Sequence, residues 1–388
     1  MFTASTSGLA SSIVVIILLS SILRLTFAQK DNGNECSCFQ TNGSSAGYFT
    51  FHRFLDYRNI PSISPEVPAL IPNITNATNA IATSDFFTNE AWRNDWAIQN
   101  WNNSDDVASG DSPTLRVNSA NNVYIEKSND TDPSYATFLT LRTARLPTFQ
   151  STGEIDSVEK NYRYLSARFR ARVIGSPGAC AGIFTYRHTT PSPSSVQEAD
   201  IEILTRGARN AVQYTNQPSQ DAQTGDDVPE ATRNVTIPQG RDWTAWNTYR
   251  VDWMPGMTSW YVNGVSVADI GFQTPKDPAG LCVNIWSDGG VWTGNMSTYD
   301  EAFLQIQWVE VVFNTSGPYV GPTDKRGMVK RKGEKEKGCK VVCGIDEKVN
   351  ITGTPAVLSS RAGAARNGNG SLVLVPLLLV IGLVFGYF

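Results

Sequence analysis

The stretch Glu198-Ala199-Asp200-Ile201-Glu202 places carboxylates at three alternate positions of one short segment. Successive side chains of a β-strand point to opposite faces, so the three acids would share one surface of a strand. The alanine and isoleucine between them would point the other way, toward an apolar core. The segment therefore predicts a strand that is buried on one face and acidic on the other.

The acidic face predicts chemistry, because three neighbouring carboxylates repel one another and cost stability unless something uses their charge. Glycoside hydrolysis needs one carboxylate as nucleophile or base and one carboxylic acid as proton donor. A solvated acidic strand face without a reaction is the alternative interpretation.

The spacing within the segment also favours one reaction course. At ~3.3 Å rise per residue the Cα atoms of Glu198 and Glu202 lie about 13 Å apart. Side chains reaching roughly 4 Å toward each other leave a gap of about 5 Å, which is the separation typical of retaining rather than inverting glycosidases. Asp200 lies between them and can raise the pKa of one neighbour while it hydrogen-bonds to the other.

Both chain ends predict export. Residues 1–28 contain an apolar run and end in Thr26-Phe27-Ala28, as a secretory signal peptide does, although an uncleaved anchor remains an alternative. Residues 371–388 form an apolar tail after a region of small residues, which favours a GPI-attachment signal over a short C-terminal transmembrane anchor. We expect a secreted, cell-surface protein, anchored to a plasma membrane or cell wall.

Between these ends we distinguish three segments. Residues 29–80 form an N-terminal extension with Cys36 and Cys38, residues 81–320 the catalytic domain, and residues 321–370 a linker that is rich in Gly and Lys and includes the GPI attachment region.

The cysteines are expected to form disulfides in an oxidising compartment. Cys36, Cys38, Cys339 and Cys343 flank the globular part and are expected to pair with one another, although a zinc site is the competing interpretation. Cys180 and Cys282 lie in strand-like runs and are expected to bridge neighbouring strands. The ten N-x-[ST] sequons agree with an exported glycoprotein.

Composition excludes several classes of protein. The net charge is −4 and there is no basic domain, so we expect no nucleic-acid partner. Only two histidines occur, which argues against Ser-His-Asp chemistry and against metal sites built from several histidines.

Strand-like runs recur along the chain, and no long helical periodicity lies between the termini. Trp260-Tyr261-Val262-Asn263-Gly264-Val265 predicts a hairpin with a type I′ turn at Asn-Gly. A sandwich of two antiparallel sheets is the expected architecture. The runs cover residues 136–143, 162–172, 180–186, 199–204, 211–215, 248–253, 258–262, 265–270, 281–286 and 304–313.

With these strands and the acidic segment together, residues 80–315 resemble glycoside hydrolase family 16. The resemblance rests on an ordered set of motifs: Gly182-Ile183-Phe184-Thr185-Tyr186, then the E-x-D-x-E acids, Tyr214-Thr215-Asn216, Tyr249-Arg250-Val251-Asp252-Trp253, the Asn-Gly hairpin and Asn284-Ile285-Trp286. Gln197 departs from the pattern, because lichenase-like members carry an Asp there.

The resemblance implies an all-β, concanavalin A-like β-jelly-roll sandwich of two antiparallel sheets. It implies Glu198 as nucleophile, Glu202 as acid/base and Asp200 as the residue that orients Glu198. The residues expected to bind sugar are Tyr186, Tyr214, Asn216, Asn284, Trp286 and Trp292. No cofactor and no catalytic metal are implied; a structural calcium ion is compatible with this fold, but no ligand cluster stands out.

The expected activity is a retaining glycosidase of the endo-β-glucanase type that acts on cell-wall β-glucan. A fungus-like walled cell and a monomer are also expected, with the membrane reached through GPI. A transglycosylase that transfers to a glucan or chitin acceptor would use the same acids. The other hypotheses are a carbohydrate-binding lectin without catalysis and a structural surface glycoprotein.

Overall fold

The computed structural model describes residues 36–43, 47–61, 67–131, 134–187, 196–319, 321, 339–346 and 351–360. The predicted signal peptide and the apolar tail lie outside these residues. Within them, no helix is long and apolar enough to cross a membrane. The α-helices of the described chain are short: α1 (Ile74–Thr78), α2 (Glu90–Arg93) and α3 (Ser104–Ser109).

Strands are the main regular structure of the described chain. They are β1 (Cys38–Gln40), β2 (Tyr48–Phe49), β3 (Phe51–Asp56), β4 (Trp96–Ile98), β5 (Arg116–Asn118), β6 (Val123–Lys127), β7 (Thr137–Arg145), β8 (Gln150–Ser157), β9 (Tyr162–Gly175), β10 (Cys180–Arg187), β11 (Gln197–Leu204), β12 (Ala211–Gln217), β13 (Thr232–Thr236), β14 (Asn247–Met254), β15 (Met257–Val262), β16 (Val265–Ile270), β17 (Gly280–Trp286), β18 (Glu301–Thr315), β19 (Val341–Gly344) and β20 (Ala356–Ser360).

Two antiparallel sheets form the body of the protein. The strands of the first, here called the cleft sheet, follow the order β13-β12-β11-β10-β17-β8. The second, here called the outer sheet, follows the order β7-β18-β9-β14-β15-β16, and β3 pairs with the second half of β18. Strands β7 and β8 join the two sheets at one edge. The fold is the predicted all-β, concanavalin A-like jelly roll.

One hydrophobic core lies between the two sheets, and strand alternation builds it from both sides. On β11, Ala199, Ile201 and Ile203 are buried in this core, as the sequence predicts. On β9 of the outer sheet, Leu165 and Phe169 are fully buried in the same cluster. The strand that carries the acids is therefore fixed by apolar contacts on the face opposite the acids.

The predicted hairpin is confirmed. Strands β15 and β16 pair directly, and the two turn residues Asn263 and Gly264 have φ values of 51° and 79°. Positive φ at both central positions is what a type I′ turn requires.

The two ends of the described chain meet in a small second sheet of order β2-β1-β19-β20, here called the terminal sheet. Strands β1 and β19 run parallel, and disulfides Cys36–Cys343 and Cys38–Cys339 join them. The predicted pairing of the four flanking cysteines with one another is thus confirmed. The segments 339–346 and 351–360, interpreted from sequence as part of a linker, contribute the strands β19 and β20.

The terminal sheet packs on the solvent side of the outer sheet. Phe49 and Ile345 bury an apolar contact against Val312 of β18. The Asp346 carboxylate accepts hydrogen bonds from Arg168 at 2.9 Å and from Arg250 at 3.2 Å. Apolar burial and charge-assisted hydrogen bonds together hold both chain ends against the body.

The predicted bridge between Cys180 and Cys282 is wrong. Both cysteines are buried and reduced, on the neighbouring strands β10 and β17. Cys180 pairs with Trp286 and Cys282 pairs with Phe184, so the cysteines are four positions apart along the ladder. That offset separates their Cα atoms by roughly 13 Å, whereas a disulfide requires less than about 7 Å.

Candidate active site

The three acids lie on the solvent side of the cleft sheet. Glu198 and Glu202 are partly exposed, and Asp200 between them is 2% exposed. They line a cleft of about 520 Å³, a volume typical of ligand sites. The predicted acidic face of the strand is therefore the floor of a cavity.

Antiparallel pairing sets further polar side chains in line with the acids. Glu202 of β11 is opposite Gly182 of β10, Gly182 is opposite Asn284 of β17, and Asn284 is opposite Glu154 of β8. Glu198 is opposite Tyr186 in the same way. The floor of the cleft is thus built from rows of residues that cross four strands.

Burial and mutual repulsion raise the pKa values of the acids. Burial raises the pKa of Glu202 to about 8, with the Glu198 charge adding to the shift. Burial raises the pKa of Glu198 to about 7, and a hydrogen bond with Asp200 opposes the rise. Burial, and then the charges of both glutamates, raise the pKa of Asp200 well above its ordinary value. The three neighbouring acids consequently resist ionising together, so at least one of them keeps its proton to higher pH than an isolated carboxyl would.

Two glutamines on β12 contact the acids. Gln213 donates through Nε2 to Glu202 Oε2 at 3.3 Å, and Gln217 donates through Nε2 to Asp200 Oδ2 at 3.5 Å. Both donors are neutral, so they orient the carboxyl groups without the strong pKa depression that an arginine or lysine would cause.

A fourth acid, Glu154, is held inside the cleft beside the row. Its carboxylate accepts from Trp101 at 3.3 Å, from Asn118 at 3.4 Å and from Asn284 at 3.3 Å. Burial, with a smaller contribution from the Asp156 charge, raises its pKa to about 7. Because both asparagine amides point their N–H groups at Glu154, their Oδ1 atoms remain buried in the cleft lining without partners among the described residues.

Gly182 leaves room for this arrangement. A Cβ atom at position 182 would lie 2.8 Å from Asn284 Oδ1. Any side chain there would push Asn284 aside, so the glycine keeps the floor open between Glu202 and Asn284.

The aromatic residues of the cleft occupy distinct places. Arg116 lies over the ring of Trp286, with its guanidinium carbon 4.8 Å from the ring centroid. Tyr186 and Phe184 line the floor beside the acids. Burial and the Glu198 charge raise the pKa of Tyr186 to about 12.

The structure brings together some predicted sugar-binding residues and separates others. Tyr186, Asn284 and Trp286 line the cleft with the three acids. Tyr214 is buried in the core, where its ring lies 5.7 Å from that of Trp260.

Asn216 and Trp292 also lie outside the lining of the cleft. Asn216 is fully buried and donates to the backbone oxygens of Ile270 and Phe272. Trp292 is partly exposed in the connection after β17, outside the cleft lining of the described residues.

The placing of Tyr214 and Asn216 in the cleft is wrong because of strand register. Tyr214 pairs with Ile201 and Asn216 pairs with Ala199, which both face the core. The neighbouring positions face the cleft instead, so Gln213 and Gln217 are the β12 residues that contact the acids. A one-residue change of position reverses the face of a strand.

Several other residues that line the cleft were not among the predicted site residues. Glu154 and Asp156 carried a usable signal, because two acids alternating around Ile155 repeat the pattern of β11. Arg116 and Asn118 carried none, since β5 is a three-residue strand in a polar segment.

Within the described residues, no group of three or more His, Cys, Asp or Glu side chains is arranged to hold a metal ion.

A jelly roll that holds paired carboxylates on one strand of a sheet-lined cleft has the equipment of a glycosidase. The family model for glycosyl hydrolases family 16 matches residues 111–310, just over half of the chain. The chain belongs to glycosyl hydrolases family 16.

Curated relatives are bacterial β-glucanases. The chain is 28% identical to the β-glucanase of Paenibacillus polymyxa over 159 residues, which are 40% of this chain and 61% of that enzyme. It is 26% identical to the β-glucanase of Bacillus amyloliquefaciens over 220 residues, which are 54% of this chain and 80% of that enzyme. The solved structure of Bacillus licheniformis β-glucanase covers 56% of this chain and 92% of its own, with 22% identity and a TM-score of 0.44.

Proposed function

We propose that the protein is a retaining glycosidase that cleaves β-glucan. The observation that carries the proposal is geometric: Glu198, Asp200 and Glu202 occupy alternate positions of β11 and line the same cleft. A retaining enzyme needs two carboxyl groups on one side of its substrate, because one attacks while the other protonates the leaving group.

In this mechanism Glu198 attacks the anomeric carbon and forms a glycosyl-enzyme ester. Glu202 donates its proton to the glycosidic oxygen as that bond breaks. It then accepts a proton from the water that attacks the anomeric carbon, and the ester bond breaks to release Glu198 as a carboxylate. Asp200 hydrogen-bonds to Glu198 and holds it for attack. Asn284, Trp286 and Tyr186 bind the sugar beside the reacting bond, together with Glu154.

The stereochemistry of the first product tests the mechanism. Proton NMR of a β-glucan digest by the purified protein should show the β-anomer of the new reducing end before mutarotation. An α-anomer formed first would contradict retention. Digests of β-1,3-, β-1,3/1,4- and β-1,6-glucans, followed by mass spectrometry, would assign the linkage.

Transglycosylation is the second candidate, since the same glycosyl-enzyme can be attacked by a sugar hydroxyl. Labelled glucan and chitin oligomers added to the digest would move into longer products if an acceptor sugar competes with water.

A lectin on this fold would not require the acids. Glu198→Gln should abolish turnover and keep the fold and glucan binding. A wild-type protein that binds glucan but releases no product would favour the lectin.

We further propose that the protein is exported and acts at the surface of a fungus-like walled cell. The proposal rests on the apolar segments at the two ends of the sequence and on the sequons. The two disulfides are consistent with an oxidising compartment. Release of the protein from intact cells by a phosphatidylinositol-specific phospholipase would test the GPI anchor.

A further inference from the structure

A cluster of polar contacts links the last residue of β10 and the first residue of β11 to a neighbouring connection. The cluster lies one residue before Glu198. Arg187 ends β10, Gln197 begins β11, and the two pair directly across the ladder. Both contact Asp277, which lies in the connection between β16 and β17. We call these three side chains the Asp277 clasp.

Gln197 uses both ends of its amide in the clasp. Its Nε2 donates to Asp277 Oδ2 at 2.8 Å, and its Oε1 accepts the backbone N–H groups of Lys276 at 2.6 Å and of Asp277 at 2.9 Å. Arg187 adds an ion pair to the same Asp277 oxygen. Exposed ion pairs contribute little alone, but here Arg187 and Gln197 share one carboxylate oxygen, and Gln197 is also held by two backbone N–H groups.

The clasp lies where it can affect the position of Glu198. The residues that follow the clasp on β11 and precede it on β10 are Glu198 and Tyr186, which line the cleft side by side. A shift of Gln197 along the ladder is transmitted directly to Glu198, because adjacent strand residues share a peptide unit. Near-attack geometry is sensitive to displacements of about 1 Å.

From these contacts we infer that Gln197 is a positioning residue for Glu198, acting through the Asp277 clasp. The inference rests on the proposed function, since it concerns the nucleophile of that reaction. It assigns a role to a residue at which the chain departs from the lichenase-like pattern.

Replacing the Gln197 donor by an acceptor, and then the Asp277 acceptor by a donor, tests the clasp. Gln197→Glu would set a carboxylate against Asp277, so this variant should lose at least about ten-fold in kcat while KM changes by less than about two-fold. Adding Asp277→Asn should restore kcat, because it removes the negative charge that repels the new carboxylate and sets an amide N–H, which can donate to that carboxylate, in its place.

Gln220→Glu is the matched control. Gln220 donates to Asp227 at 3.1 Å in an exposed loop, so the same change there should leave kcat unaltered. Melting temperatures of all variants would separate a positional effect from unfolding.

Hydrogen exchange of β11 peptides provides a measurement that does not depend on turnover. Gln197→Glu should accelerate exchange near residue 198, and the double variant should slow it again. Unchanged kcat in Gln197→Glu, or a loss that Asp277→Asn does not restore, would overturn the inference. If the wild-type protein cleaves no glucan, the proposed function fails, and unchanged exchange in Gln197→Glu would then refute the clasp independently.

Discussion

Replacing Glu202 by Gln should increase stability at alkaline pH while it removes activity. Burial and the Glu198 charge raise the pKa of Glu202 from 4.5 to about 8. A carboxyl whose folded-state pKa is raised stabilises the fold when it is protonated, and that contribution is lost as pH rises from the unfolded value through the folded one. The window is therefore about pH 4.5 to 8, and stability falls across it.

The size of the effect follows from the shift. At about 1.4 kcal/mol per pKa unit, the full shift would correspond to about 5 kcal/mol above pH 8. Part of it is repulsion shared with Glu198, so we expect Glu202→Gln to gain about 2–3 kcal/mol at pH 8. For a domain of this size that is a rise in Tm of about 5 °C or more. Turnover should fall by about 10²- to 10⁴-fold through loss of general acid catalysis.

Calorimetry at two pH values is the assay. At pH 4.5 the wild-type carboxyl is already largely protonated, so the gain should nearly vanish. The exposed Glu230→Gln serves as the control, which should leave Tm unchanged at both pH values. An equal gain for Glu202→Gln at pH 4.5 and pH 8 would refute the reasoning, because a buried charge would then not be its cause.

Three further predictions concern the cleft and the chain ends. The pH dependence of kcat/KM should be bell-shaped, rising through about pH 7 as Glu198 ionises and falling through about pH 8 as Glu202 loses its proton; a flat alkaline limb would argue against Glu202 as the acid. Gly182→Ala should lower kcat/KM about ten-fold, because its methyl group would collide with Asn284 Oδ1, whereas Gly317→Ala in open space should be silent; steady-state kinetics on a glucan oligosaccharide would show both. Reduction of the two disulfides should lower stability by about 4 kcal/mol in denaturant titrations but leave kcat unchanged, because both bonds lie on the side of the body away from the cleft; a parallel loss of activity before unfolding would contradict this.

The sequence predicted best those features that depend on a single strand or turn. Glu198, Asp200 and Glu202 share a face because alternation is a property of any extended chain, whatever its neighbours. The Asn263-Gly264 turn was equally local, since few residues other than glycine and asparagine accept positive φ.

Pairing between strands was harder to predict, because register depends on contacts that no single segment encodes. Tyr214 was assigned to the cleft and lies in the core one position away from a residue that does face the cleft. Cys180 and Cys282 were correctly placed on neighbouring strands, and the four-residue offset between them was not visible. Glu154 was overlooked because its strand, Gln150–Ser157, reads as polar although most of it is buried.

The structure of the chain ends was predicted only in part. Four cysteines that flank a domain predict cross-linking of its two ends from separation alone. The sequence around Cys339 and Cys343, rich in Lys and Gly, gave little sign of β19 or of Ala356–Ser360 as a strand beside it. The strand that pairs with β19 on its other side, β1, lies roughly 300 residues earlier in the chain, as the pairing of Cys38 with Val342 shows.

The terminal sheet also provides an attachment point on the side of the molecule away from the cleft. Cys36 enters it and Ser360 lies opposite Val341 at its other side, so both directions of the chain leave from the same small patch. That patch packs on the outer sheet, and the cleft opens from the opposite face of the sandwich. A support attached to the protein through the terminal sheet would leave the cleft facing away from that support. A substrate much larger than the enzyme could then reach the cleft without meeting the support.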